Sequence, residues 1–176
     1  RWWETMMRSV GVMAGVVACA ATVLTGQAPV ASASDYGFEL NGTYSAVSNG
    51  EWAKHNDSFT PEGVKRDVWR MSSSCESTNR CDGTITSLNE GWTIPLRFLN
   101  DHWVAPRTIP NWAPCETGGA ATGHQLYWFY GVDQTGMNNR STTELAGKDT
   151  TFTDSGSCGR NRGLTIELPL HLTRIS

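Results

Sequence analysis

The segment that most constrains the fold lies near the C-terminus, where apolar side chains recur at every second position. They alternate with polar residues or proline and are Leu164, Ile166, Leu168, Leu170 and Leu172. A period of two places them on one face of a half-buried β-strand, whereas a helix would scatter them around its axis. Pro169 lies on the other face and has no N–H to donate, so we expect a sheet edge or a bulge there.

Turn signals divide the rest of the chain into further short strands. Asn49-Gly50, between Thr43–Val47 and Glu51–Lys54, is the strongest of them and predicts a two-residue β-hairpin. Further strands are expected over residues 64–73, 83–87, 92–99, 102–107, 126–130 and 142–153. This spacing, with no long segment of helical period, predicts an all-β fold of about eight short antiparallel strands. A closed barrel and a sandwich both fit the pattern.

The N-terminal residues carry the pattern of a secretory signal peptide. Arg8 is followed by an apolar run, Val10–Leu24, and then by the small residues Ala31-Ser32-Ala33. A membrane-spanning helix needs about 20 apolar residues, and polar residues interrupt this run, so a retained anchor is the weaker alternative. We therefore expect residues 1–33 to be a signal peptide that is cleaved after Ala33.

The expected mature chain is a single disulfide-bonded β-domain, residues 34–176, without a transmembrane helix. Residues 1–5 precede the expected start methionine and are interpreted as an upstream extension. Val16-Val17-Ala18-Cys19 also has the form of a lipoprotein cleavage site, which would tether the protein through a lipid on Cys19. The residues after Cys19 stay apolar, so a secreted or cell-envelope protein without that anchor is favoured.

Four cysteines remain in the expected mature chain: Cys75, Cys81, Cys115 and Cys158. Four cysteines allow three pairings. The polar stretch between Cys75 and Cys81 suits a turn, which favours a bridge across its base and leaves Cys115 to pair with Cys158. A zinc site is the alternative, but the chain has no Cys-x-x-Cys pair and no histidine at ligand spacing. We expect two disulfides and no metal.

Charge and motifs narrow the function classes. The chain has 17 acidic and 14 basic residues and a formal net charge of −3, which argues against nucleic-acid binding. It has no Gly-x-Ser-x-Gly, no His-Glu-x-x-His and no phosphate-binding glycine loop. Asp154-Ser155-Gly156 lacks the preceding glycine of a protease nucleophile motif and is interpreted as a turn. We therefore predict no catalytic residue and no cofactor.

A small secreted hydrolase with dispersed acidic and histidine residues is the alternative. It requires a cleft that gathers at least two of five side chains: Asp101, His102, His124, Glu167 and His171.

Tryptophan is abundant for a chain of this length. Of the eight tryptophans, all but Trp2 and Trp3 lie in residues 34–176. Such side chains fill the core of a small β-domain, or they line a groove for an apolar or sugar ligand. The candidates for ligand contact are Trp92, Trp103, Trp112 and Trp128.

Four segments carry a resemblance to a known group of proteins. They are Trp69–Cys75, Gly91–Leu96, Pro110–Cys115 and Ser155–Asn161, of which Pro-Asn-Trp-Ala-Pro-Cys is the most particular. They resemble exported proteins of mycobacteria with a four-cysteine β-domain. The resemblance implies export and a disulfide framework, and it implies no catalytic residues. The leading hypothesis is a non-enzymatic exported module that binds a lipid, a glycan or an envelope protein.

Overall fold

The computed structural model describes residues 36–176; the expected signal peptide, its cleavage site and Cys19 lie outside them. The described residues form ten strands and two short 3₁₀ helices, Gly50–Trp52 and Ser157–Gly159. The strands are β1 (Gly42–Ser48), β2 (Lys54–His55), β3 (Ser58–Phe59), β4 (Lys65–Ser77), β5 (Arg80–Ser87), β6 (Thr93–Leu99), β7 (His102–Pro114), β8 (Ala120–Gly131), β9 (Glu144–Phe152) and β10 (Thr165–Arg174). In this part of the chain, no helix is long and apolar enough to cross a bilayer.

Eight of the strands close into an antiparallel barrel. Strands β4 to β10 pair in chain order, and β1 pairs with both β4 and β10. Tyr44 of β1, for example, lies opposite Trp69 on one side and Arg174 on the other. The short β2–β3 hairpin continues the sheet beside β10. The all-β prediction is confirmed, and of the two architectures that fit the sequence pattern, the structure is the barrel.

The leucine-rich C-terminal strand is confirmed as β10, although Leu164 lies just before it and Ile166 is only partly buried. Leu168, Leu170 and Leu172 point into the barrel and are at most 2% exposed. Strand β10 is paired on both sides, so Pro169 does not lie at an outer edge of the sheet.

A gap in the pairing accommodates this proline. The pairing of β1 with β10 ends at Leu170, and that of β2 begins at Glu167. Pro169 lies between these two partners, and its carbonyl accepts from Asn49 N–H at 2.8 Å. Its missing N–H therefore costs no bond of the ladder, because a strand residue directs its N–H and C=O to the same side.

The hairpin predicted at Asn49-Gly50 is wrong. Asn49 instead begins a 3₁₀ helix, where its Oδ1 accepts from Glu51 N–H at 3.1 Å. The pairing of β1 with β4 and β10 buries Tyr44 and Ala46. Glu51–Lys54 offers no comparable apolar face, so burial through distant pairing outweighs the local turn signal.

Apolar side chains fill one half of the barrel. They include Tyr44, Met71, Phe98, Trp103, Phe129 and Leu145, each at most 2% exposed. The segment before β1 closes this end of the barrel. Leu40 is fully buried, and its N–H donates to Ser73 Oγ at 2.8 Å. The ring centroid of Phe38 lies 4.8 Å from that of Phe98.

Two disulfides stabilise opposite ends of the barrel, with the pairing that the cysteine spacing predicts. Cys75 and Cys81 are directly opposite each other in β4 and β5, near the closed end. Cys115 and Cys158 join the β7–β8 loop to the 3₁₀ helix between β9 and β10, at the other end.

The barrel opens between β6 and β7. These strands pair only through His102–Val104, although β7 continues to Pro114. Beyond Val104 strand β7 pairs with β8 alone, so Pro106 and Pro110 lie where no bond to β6 is required. This separation exposes the interior at the end of the barrel opposite Phe38.

Candidate functional site

A cavity of about 220 Å³ lies inside this open end of the barrel. It forms because the inward-facing positions change from apolar to polar along several strands. On β9 the inward side chains run from Leu145 to Asp149 and Thr151, and on β8 they run from Phe129 through Tyr127 to Gln125. The same alternation that builds the core therefore places polar groups at the base of the cavity.

Asp149 is the central polar group of this base. It is 1% exposed, and its carboxylate accepts from Gln125 Nε2 at 2.7 Å and from Ser48 Oγ at 2.9 Å. Both donors are neutral. Among residues 36–176, no Lys, Arg or His nitrogen lies within 4.0 Å of the carboxylate. We name Asp149, Gln125 and Ser48 the polar floor.

The polar floor includes an acceptor without a donor. Gln125 is 5% exposed, and its Oε1 is buried and meets no hydrogen-bond donor among the described residues. The other end of the amide is held by the carboxylate, because only the NH₂ group can donate to it. A buried acceptor left unpaired costs about 1–3 kcal/mol. A hydrogen-bond donor on a bound molecule would remove this cost.

The charge of Asp149 also acts on Tyr127. Burial, and after it the negative charge of Asp149, raises the pKa of Tyr127 far above that of an exposed tyrosine, while Arg107 opposes the shift. The phenol therefore keeps its proton over the physiological pH range.

Aromatic rings form the walls of the cavity. The ring centroid of Tyr127 lies 4.7 Å from that of Trp69, with the planes nearly perpendicular, and 6.2 Å from that of Trp92, with the planes nearly parallel. Two carboxylates orient the indoles: Trp69 Nε1 donates to Asp67 at 2.8 Å, and Trp92 Nε1 donates to Glu90 at 2.6 Å. We name these three rings the aromatic wall.

Arg107 enters the cavity beside this wall. Its guanidinium carbon lies 4.5 Å from the centroid of Trp92, and its Nη1 lies 3.3 Å from Glu90 Oε2. Lys65 and Arg66 add basic groups to the lining. The cavity thus has cationic and anionic side chains in equal number, and the Glu90 carboxylate balances the charge of Arg107.

The four tryptophans suggested by the sequence lie in three different places. Trp92 and Trp112 line the cavity. Trp103 is 2% exposed within the apolar half of the barrel. Trp128 faces outward from β8, where its ring stacks on that of His102 with 4.2 Å between centroids. Ligand contact by any of them stays a prediction.

Trp112 depends on a glycine for its position. A Cβ at Gly123 of β8 would lie 2.7 Å from Cγ of the Trp112 ring, a distance that real side chains do not reach. The glycine therefore lets the indole lie close against the backbone of β8.

Sequence reasoning missed the polar floor and two rings of the site, Trp69 and Tyr127. A single aspartate or glutamine within a strand resembles an outward-facing polar position, because alternation alone does not tell which face is buried. The available signal was the alternation along β9: Leu145 and Asp149 are an even number of positions apart and so share a face.

The cleft expected of a hydrolase is not formed by the candidate residues. His171 pairs with Glu144 at 2.9 Å, His124 with Asp154 at 3.3 Å, and Lys148 with Glu167 at 3.0 Å. Asp101 pairs with Arg140, and His102 stacks on Trp128. Each candidate thus has a separate partner outside the set. In residues 36–176 there is also no group of three or more His, Cys, Asp or Glu side chains placed to hold a metal ion.

Comparison with known proteins gives a likeness of fold. No family model and no curated protein matches the chain. Among solved structures, the monomer form of the M. tuberculosis PknI sensor domain is similar, with a TM-score of 0.58 and 17% sequence identity. The match covers 78% of this chain and 88% of that one. At this identity the likeness shows that the two chains share a fold, and that this fold occurs in a mycobacterial sensor domain.

Proposed function

We propose that this protein is an exported, non-catalytic binding module that takes a sugar-sized polar ligand in the open end of its barrel. The observation that carries the proposal is the polar floor: Gln125 Oε1 is a buried acceptor without a donor, beside a buried carboxylate and beneath aromatic rings. Binding sites typically combine apolar walls with a few fixed polar groups in this way.

Export is supported by three independent features. Two disulfides are typical of proteins that fold in an oxidising compartment. The N-terminal sequence has the signal-peptide pattern, with expected cleavage after Ala33. The fold is similar to that of a protein named a sensor domain. We infer that the chain acts in the cell envelope or outside the cell, and N-terminal sequencing of the exported protein tests the cleavage position.

The filling of the barrel favours a sugar over a lipid. The apolar half is occupied by buried side chains such as Phe98, Trp103 and Phe129, which an acyl chain would have to displace. The open half has a polar floor, which an acyl chain would leave unsatisfied. The cavity of about 220 Å³ is smaller than the roughly 300–1,000 Å³ of sites for drug-sized ligands, so it admits one ring or a short chain.

The aromatic wall suits the same ligand class. A sugar ring has polar edges and weakly polar C–H faces, so it can hydrogen-bond to a polar floor while it packs against Trp69, Trp92 or Tyr127. A protein partner at this site would have to insert a side chain of comparable size.

Fluorescence titration of the full chain, purified with both disulfides formed, tests the proposal. The ligands are glucose, glucosamine and N-acetylglucosamine, with a fatty acid to represent lipids. We expect at least one sugar to quench tryptophan emission saturably. Trp92→Leu should weaken that binding about tenfold or more, whereas Trp128→Leu, on the outer face, should leave it unchanged. Saturable binding of the fatty acid alone, or equal sugar affinity in both variants, would contradict the proposal.

A further inference from the structure

We propose that the group bound by the polar floor is a cation, a primary ammonium carried on a ring or a short chain. This inference rests on the proposed ligand site and adds the chemical class of the ligand. It follows from the charges and hydrogen bonds of the carboxylates that line the cavity, Asp67, Glu90 and Asp149.

Asp149 is the fully buried carboxylate of the cavity, and its charge lacks a nearby counterion. Asp67 also has two neutral donors, Trp69 Nε1 and the backbone N–H of Val68, at 2.8 and 2.7 Å, but it is partly exposed, so solvent screens its charge. Glu90 accepts from Trp92 and pairs with Arg107. Asp149 has two neutral donors and, among the described residues, no cation within 4.0 Å. A buried charge without a partner is costly, so a cationic ligand gains most at this position.

Gln125 strengthens the preference for an ammonium over a hydroxyl. Its NH₂ group donates to Asp149, so its free Oε1 is a second acceptor next to the carboxylate. An ammonium has three donors and one positive charge, which matches two acceptors and one negative charge. A hydroxyl has one donor and no charge, so it would leave one acceptor or the carboxylate charge unsatisfied.

The aromatic wall is consistent with a cationic ligand. Ring faces attract cations, and the cavity already uses this interaction, because the Arg107 guanidinium lies 4.5 Å from the centroid of Trp92. Glu90, which contacts Arg107, offsets the repulsion that this arginine would exert on a second cation. Trp69 and Tyr127, both largely buried, also line the cavity beside the polar floor.

Two matched pairs of compounds test the inference by isothermal titration calorimetry on the full chain with both disulfides formed. Glucosamine and glucose differ in an ammonium against a hydroxyl on the same sugar ring. Cyclohexylamine and cyclohexanol make the same comparison without a sugar. The buffer is kept acidic enough for the amines to be charged. We expect each ammonium to bind at least tenfold more tightly than its hydroxyl counterpart.

The variant Asp149→Asn removes the charge and keeps the shape. Asparagine can still accept from Gln125 and can exchange a hydrogen bond with Ser48, so we expect the variant to fold, which circular dichroism would verify. In this variant the preference for ammonium should fall to threefold or less. The comparison on the unsubstituted protein stands even if the variant does not fold.

The outcomes separate the inference from the proposed function. A preference for ammonium in both pairs supports a general ammonium site, and a preference in the sugar pair alone supports an amino-sugar site. Equal affinity for glucosamine and glucose overturns the inference but leaves the sugar site in place. If none of the four compounds binds, the inference is wrong, and if N-acetylglucosamine also fails to bind, the proposed function is wrong as well.

Discussion

The disulfide at the open end of the barrel provides a prediction whose size can be worked out. Cys115 and Cys158 are 43 residues apart in sequence and join two connecting segments that no strand pairing holds together. Replacing both with alanine frees these segments in the folded state and, more importantly, frees the loop between them in the unfolded chain. Both cysteines are only partly buried, so loss of packing contributes little.

The magnitude follows from the entropy of closing the loop. With a sequence separation of 43, the bridge restricts the unfolded chain by about 4 kcal/mol at 25 °C. The bridge between Cys75 and Cys81, with a separation of 6, is worth about 2 kcal/mol by the same relation. For a chain of this size, a loss of about 4 kcal/mol lowers Tm by roughly 8–16 °C.

Urea unfolding monitored by tryptophan fluorescence measures this loss. The single variants Cys115→Ala and Cys158→Ala each break the bridge, so each should lose as much as the double variant. The double-mutant cycle should therefore give a coupling energy close to the whole effect. The assignment of stability to this bridge would be refuted if the double variant lost the sum of the two single-variant losses in the free energy of unfolding. It would also be refuted if the double variant lost less than about 1 kcal/mol.

Three further predictions concern the closed end, the cavity and a surface loop. Leu40→Ala should lower the free energy of unfolding by about 2–5 kcal/mol, measured in urea, because it removes a fully buried side chain from the closed end. Gly123→Ala should cost about 1–3 kcal/mol and shift the emission of Trp112, because the new methyl group overlaps the indole. Hydrogen bonds from the Thr135 hydroxyl, and then from backbone N–H groups of the same loop, lower the pKa of Asp133 below its ordinary 3.8. The contribution of these hydrogen bonds to stability is therefore complete above pH 3.8 and is lost as the pH falls through the lowered pKa of Asp133. An NMR titration midpoint of Asp133 at or above pH 3.8 would contradict this prediction.

Leu40→Ala and Gly123→Ala each have a matched control. Leu99 is 47% exposed, so Leu99→Ala should change the free energy of unfolding by about 0.5 kcal/mol or less. A Cβ at Gly63 meets nothing within 4 Å, so Gly63→Ala should leave tryptophan emission unchanged. If either control matched its core counterpart, the assignment of buried contacts at Leu40 or Gly123 would be wrong.

Local patterns were sufficient to predict most strands of the fold. The leucines of β10 define their strand because they recur at every second position, and their burial alternates with exposed residues over 168–172. The closure of the barrel required information that no local pattern holds. It depends on β1 pairing with β10, whose residues are far away in the sequence. The open end likewise depends on a non-local feature, the departure of β7 from β6 after Val104.

The candidate site was less predictable than the fold. Trp92 and Trp103 are the same residue type at similar positions near strand starts, yet one lines the cavity and the other lies in the core. Asp149 shows the other difficulty, because its hydrogen bonds come from Gln125 on the neighbouring strand β8 and from Ser48 on β1, which does not pair with β9. Residue type and spacing do not encode which end of a barrel is filled.

The most direct test of the ligand site is ¹⁹F NMR of the full chain labelled with 5-fluorotryptophan, with each resonance assigned by single substitution. We predict that saturating glucosamine shifts the resonances of Trp69, Trp92 and Trp112, which line the cavity. The resonances of Trp103 in the core and Trp128 on the outer face should not move. Shifts confined to Trp128, or no shift at any of these positions, would contradict a ligand site in the open end of the barrel.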